Sequence, residues 1–198
     1  MAAVPTVLPA PTTRAPARSR PRRAPWSWGP ADGATCAADC GSHGMPGARH
    51  ATRAVLATAS PQALFLWLAQ LPRAPYSYDL LDNLGRPSPR IPDPALSDFA
   101  PGQRVMTIFT ATAVEPGRSL TVVMRPGPAT WLFGPLQARY SVTPLEGRWT
   151  ALRADLCLPR IGKILGGKRR ALLAWGDLLM MRNQLRTLRG LAEGTTGS

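Results

Sequence analysis

The sequence predicts an α+β domain in which a curved antiparallel sheet wraps a long C-terminal helix, with two short helices near the N-terminus. Three observations carry this. A strand-like segment is followed at once by a capped apolar helix. A stretch from 102 to 158 is rich in Thr, Val, Ile and Phe and is broken by tight turns. A long amphipathic segment closes the chain. Short strands joined by tight turns make antiparallel meanders, and such a sheet needs an apolar partner on one face.

Residues 53–59 (RAVLATA) read as the first strand. Ser60 then caps a helix with Pro61 at its first position, the favoured arrangement. The helix that follows, ALFLWLAQL, is apolar on several faces and so is expected to be buried, ending at Pro72 and Pro75. Residues 76–84 form a second short helix stopped by Gly85, and a Pro-rich loop runs from Pro87 to Pro101. Strands are expected at 103–115, 118–126, 129–133, 137–146 and 148–158, with Gly147 in a hairpin turn. A basic, Gly-rich linker leads to a final helix over 168–191. In it Leu172, Trp175, Leu178, Leu179, Leu185 and Leu188 recur at spacings of three and four or their sums.

Residues 1–52 read as a disordered basic tail. Seven prolines between Pro5 and Pro30 preclude a regular helix, and the arginines repel one another without apolar partners. Trp26 and Trp28 are the exceptions, able to dock. Met45 is an alternative start, which would leave residues 1–44 untranslated. The expected organisation is thus a tail over 1–52, a ligand-binding domain over 53–193 and a frayed end over 194–198.

The 198 residues carry a net charge of +13. Of this, the tail supplies six Arg against two Asp, and the rest 18 Lys or Arg against nine acids. An anionic partner is one reading of such a balance. No zinc-finger, RRM or KH pattern supports nucleic acid. Lys163, Lys168, Arg169 and Arg170 before the last helix offer weak contact with an anionic membrane. Three Cys, two of them in the tail, make no disulfide framework, so a reducing, cytoplasmic setting is expected. No signal peptide or membrane-spanning helix is expected. Cys36, Cys40, His43 and His50 lack a standard zinc spacing, so no metal is expected, and no cofactor fingerprint is present.

Three segments together resemble a known superfamily. They are Ser60-Pro61-Gln62-Ala63-Leu64-Phe65-Leu66-Trp67-Leu68-Ala69-Gln70-Leu71, then the run from Tyr76 through Asp79 and Asn83 to Arg86, then Trp175-Gly176-Asp177-Leu178-Leu179-Met180-Met181-Arg182-Asn183-Gln184-Leu185. In order and spacing they are similar to the START-like, or SRPBCC, proteins, which include polyketide cyclase/dehydrase and lipid-transport members. The resemblance spans about 53–193 and implies a helix-grip fold around an apolar cavity that takes a small hydrophobic molecule. Where relatives carry a Gly-rich stretch, Leu71-Pro72-Arg73-Ala74-Pro75 is short and stiff, so the cavity mouth is expected to differ.

Trp67, Tyr76, Tyr78, Met106, Phe109, Trp131, Phe133, Tyr140, Trp175 and Met180 are the side chains most suited to line such a cavity. Tyr78, Asp79 and Asp177 are weak catalytic candidates for a cyclase or dehydratase. For Tyr76, Tyr78 and Asp79 the favoured reading is a helix cap by Asp79 and aromatic packing by the tyrosines. Asp177 interrupts an apolar helix beside Gly176, whose presence suggests a close approach, and it has Arg139 or Arg153 as prospective partners. Residues 53–198 contain no histidine, which removes His-dependent nucleophilic catalysis.

Overall fold

Ser60 does what its position predicts. It is extended (φ −64°, ψ 155°), and its hydroxyl accepts the Ala63 N–H at 3.2 Å, so α1 (Pro61–Leu68) begins there. Proline at 72 has no N–H for a further α-type bond. The chain therefore leaves α1 through tighter turns up to Arg73, closed by bonds such as Leu71 N–H to the Leu68 carbonyl at 3.1 Å. The computed structural model describes residues 24–30, 47–77, 87–97, 100–160 and 166–195.

The other elements are β1 (Ser27–Trp28), β2 (Arg49–Ala57), β3 (Arg104–Val105), β4 (Phe109–Glu115), β5 (Ser119–Met124), α2 (Pro128–Phe133), β6 (Gln137–Pro144), β7 (Thr150–Leu158) and α3 (Gly166–Thr195). The strands form one seven-stranded sheet in the order β1-β2-β7-β6-β5-β4-β3. All neighbours are antiparallel except β1 and β2. Side chains alternate between the two faces. The register therefore puts Arg53, Ala154, Tyr140 and Leu120 in one row across the sheet, and Val55, Leu152 and Val142 in another. These rows form the concave face. α3 and α1 lie against it, and Trp67, Leu68, Leu152, Leu156, Leu185 and Leu188 complete a continuous core.

Several expectations give way here. Residues 129–133 are helix, not strand. Pro128 cannot donate to a ladder but suits a first helical turn, which the Trp131 N–H closes on the Gly127 carbonyl at 3.0 Å. The strand expected over 103–115 folds back on itself, with β3 pairing against the start of β4. The reversal uses Met106 and Thr107 at φ 45° and 61°, a left-handed backbone that costs a β-branched residue about 1 kcal/mol or more. Part of the stretch assigned to the tail belongs to the sheet: β2 begins at Arg49, and β1 adds a parallel strand beyond it. There the Trp26 carbonyl accepts the Thr52 N–H, the Arg49 guanidinium sits 3.7 Å over the Trp26 ring, and Arg182 and Arg186 sit 5.5 and 5.3 Å over that of Trp28. Cys157, buried on β7, is disulfide-bonded, contrary to the expectation of no cross-link. The other two cysteines, Cys36 and Cys40, lie outside the described residues.

Candidate functional site

The inner face of α3 presents Ala174, Leu178, Met181, Leu185, Leu188 and Ala192 to the core. Asp177 and Gln184 fall on that same side, three residues after Ala174 and Met181. Polar groups in such a position must find partners or lose the hydrogen bonds water gave them.

Asp177 finds Arg53. The guanidinium Nη2 donates to Asp177 Oδ2 at 3.1 Å and to the Ala174 carbonyl at 3.2 Å, and Nη1 donates to the Thr52 carbonyl at 3.0 Å. Their side chains are 0% and 13% exposed. Burial pushes the Asp177 carboxyl up to about 6, against the pull of Arg53, and burial lowers Arg53 in turn. Arg139 and Arg153, the expected partners, alternate with Tyr140 and Ala154 and so occupy the opposite face of the sheet. There Arg153 donates to Asp155 from Nε and Nη2 at 3.0 and 2.8 Å, Thr52 Oγ1 donates to the same oxygen at 3.0 Å, and Arg139 reaches Glu115 and Ser119. Among the described residues nothing crowds Gly176, where an added Cβ meets open space, so none of them makes the close approach inferred from it.

Gln184 is a hub. Its Oε1 accepts the Tyr140 hydroxyl at 2.8 Å, and burial pushes that phenol well above its ordinary range. Its Nε2 donates to the Pro75 carbonyl and lies 3.3 Å from Met106 Sδ. One residue earlier, Asn183 Nδ2 donates to the Ser77 carbonyl. Between those two carbonyls sits Tyr76, buried at φ 54°, its ring edge-on to Trp67 at 6.0 Å. Of the three non-glycine residues with left-handed backbone among those described, Tyr76 and Met106 adjoin this buried amide, and Thr107 follows Met106 in the turn. Strain of that kind persists only where the surroundings hold it, and it concentrates at ligand clamps and active sites.

A groove opens beside this hub, between the segments around Tyr76 and Pro87–Arg90 and the C-terminal half of α3. It encloses about 470 Å³. Tyr76, Pro87 and Leu191 give it apolar wall. Ser77, Ser88 and Thr187 add hydroxyls, Arg90 and Arg186 add positive charge, and Gly190 leaves the helix side open.

Of the lining residues expected from sequence, Trp67, Tyr76 and Tyr140 are in the core, and Met106 and Phe109 pack at its edge. Trp131 does not line an interior: it is 86% exposed on α2, and Phe133 is exposed too. Trp175 and Met180 also face outward. At about 100° per residue, Leu172, Trp175 and Leu179 form a stripe of their own, turned away from the buried one. Tyr78, Asp79 and Lys163 lie outside the described residues; Lys168 and Arg169 are exposed, and Arg170 donates to the Gly47 carbonyl at 3.0 Å. Sequence reasoning missed Arg53, Asn183 and Gln184. The signal was available for two of them. Arg53 shares the inward parity of Val55 and Ala57, and Gln184 stands three residues after Met181 and four before Leu188.

No protein-family model matches the chain, and no curated protein matches its sequence. Solved structures do share its fold. The di-domain ARO/CYC StfQ from the steffimycin biosynthetic pathway superposes with a TM-score of 0.50 at 12% identity, covering 76% of this chain and 52% of that one. The chain thus spans about half the length of that di-domain protein. A START superfamily protein from Mycobacterium smegmatis aligns at a TM-score of 0.47 with 17% identity over 74% of this chain and 98% of that one. Ara h 8.0201 aligns at 0.47 with 8% identity, over 75% and 99%. The chain has the START-like, helix-grip fold.

Proposed function

We propose that this START-like chain binds a small amphipathic molecule, such as a lipid or a polyketide, in the groove beside Tyr76. The ligand's apolar body lies against Tyr76, Pro87 and Leu191, and an acidic or strongly polar end meets Arg90 and Arg186. The supporting observation is the hub next to the groove. Asn183 and Gln184 hold the carbonyls on either side of a strained Tyr76, so the wall is fixed before any ligand arrives. Preorganised walls cost less to occupy than loops that must order on binding. A volume of about 470 Å³ also falls within the range of small-molecule sites.

A second reading makes the chain a cyclase or dehydratase acting on a polyketide-like substrate, as the ARO/CYC likeness and the raised Asp177 pKa invite. Geometry weighs against Asp177 in that role. Its carboxylate is committed to Arg53, and the buried hydroxyl of Tyr140 is committed to Gln184. General acid–base catalysis needs a titratable group within reach of a substrate proton. Binding without turnover is the better reading.

Native followed by denaturing mass spectrometry of the purified full chain tests the proposal. A bound species lost on denaturation, with an apolar body and an acidic or polar end, is the expected result. A protein that carries nothing and takes up neither fatty acids nor an anionic apolar dye contradicts it.

A further inference from the structure

The outer face of α3 carries an apolar stripe that the fold does not use. Leu172, Trp175 and Leu179 follow one another at spacings of three and four and are 74%, 49% and 55% exposed. Met180 borders them. Monomeric proteins scatter exposed apolar residues singly; a contiguous stripe with an aromatic at its centre marks a contact surface.

Its surroundings have one sign. Lys168 and Arg169 lie about one turn before Leu172, and Arg182 follows Leu179 by three residues, all of them exposed. The described acids do not answer them. Glu115 and Glu146 stand at the ends of β4 and β6, and Glu193 accepts the Thr58 N–H at the end of β2. All three are far from the start of α3, which Arg170 ties to Gly47 at the beginning of β2. Asp155 and Asp177 are ion-paired, and Asp93 accepts the Ala95 N–H. The same end of the sheet also bears Trp131 and Phe133 on α2, between the end of β5 and the start of β6.

From this juxtaposition we infer that the N-terminal half of α3 docks on an anionic lipid surface. The helix lies in the interfacial plane, with Leu172, Trp175 and Leu179 among the acyl chains and Lys168, Arg169 and Arg182 at the head-group phosphates. An interfacial helix is built this way: an apolar stripe, an aromatic that favours the head-group level, and basic flanks. A neutral protein partner answers only the apolar stripe. Nucleic acid answers only the charge and leaves that stripe in water. The inference is independent of the ligand proposal, because the groove lies beside the other half of α3.

The test is flotation of the full chain with vesicles of phosphatidylcholine alone or with about 30 mol % phosphatidylglycerol, at about 0.15 M salt. The comparison is L172S/W175S/L179S, whose replaced side chains are exposed, so its circular dichroism is expected to match wild type. The expected result is binding to the anionic vesicles, at least about tenfold weaker binding to neutral ones, and a similar loss for the variant. Equal binding by the variant, equal binding to neutral vesicles, or no binding by wild type each overturns the inference. So does a wild-type dimer that the triple substitution converts to a monomer, since the stripe then belongs to a second copy of the chain.

Discussion

Replacing Gln184 with leucine keeps the volume and removes the hub. Two buried groups then lose their partners, the Tyr140 hydroxyl, which bonds Gln184 at 2.8 Å, and the Pro75 carbonyl. Each unsatisfied buried polar group costs about 1–3 kcal/mol. The Met181 sulfur, 3.6 Å from the hydroxyl, is a weak substitute. Leucine adds apolar burial worth about 1 kcal/mol, so the net destabilisation is about 3 kcal/mol. Tyr140→Phe in the Gln184→Leu background removes the orphaned hydroxyl and recovers about 1–2 kcal/mol, whereas the same change in wild type costs about 1 kcal/mol. Urea unfolding followed by far-UV circular dichroism measures all four proteins. A Gln184→Leu loss below about 1 kcal/mol, or a double variant no more stable than Gln184→Leu alone, refutes the claim that this amide holds the hub together.

Three further outcomes follow from other contacts. Asp177 has its folded pKa raised from 3.8 to about 6, so its contribution to stability is present below its ordinary value and is lost as pH rises through about 6. Asp177→Asn removes that contribution, and the fall in Tm between pH about 4 and about 6 becomes shallower than in wild type. Thr107→Gly relieves a left-handed residue at φ 61° in the β3–β4 turn and raises stability by about 1 kcal/mol, read from the urea midpoint. Cys157→Ser costs about 2–5 kcal/mol, and reductant lowers the Tm of wild type but not of the variant.

The parts of this fold legible from sequence are those where local chemistry and tertiary packing agree. Ser60-Pro61 starts α1 because cap and first-turn residue serve the same end, and Gly147 turns β6 into β7 at φ 72°. The reading failed where two patterns share one string of residues. Ala129 to Phe133 carries strand-forming side chains, yet Pro128 ahead of it leaves a helical turn as the better backbone. Leu172 and Trp175 obey the same spacing rule as Leu178 and Leu185, and periodicity does not say which of two apolar stripes is the buried one. The hub was hidden for another reason. Gln184 acquires its role from Tyr140, 44 residues away, and from Pro75, 109 residues away, and no local pattern encodes either distance. Arg53 was legible in its inward parity, but its partner was assigned to Arg139 or Arg153, because which strand lies beneath Asp177 is a property of the assembled sheet.

The groove is the central claim, and Gly190 gives direct access to it. Among the described residues a Cβ there meets nothing within 4 Å, so Gly190→Trp adds a bulky side chain at the groove's helix side, and α3 gains helix propensity worth a few tenths of a kcal/mol. The measurement is titration of an anionic apolar dye into wild type and Gly190→Trp, with urea unfolding of both. Binding weakened at least about tenfold (about 1.4 kcal/mol) in a variant as stable as wild type is the predicted result. Unchanged affinity in that folded variant means the ligand, if one binds, does not sit beside Tyr76.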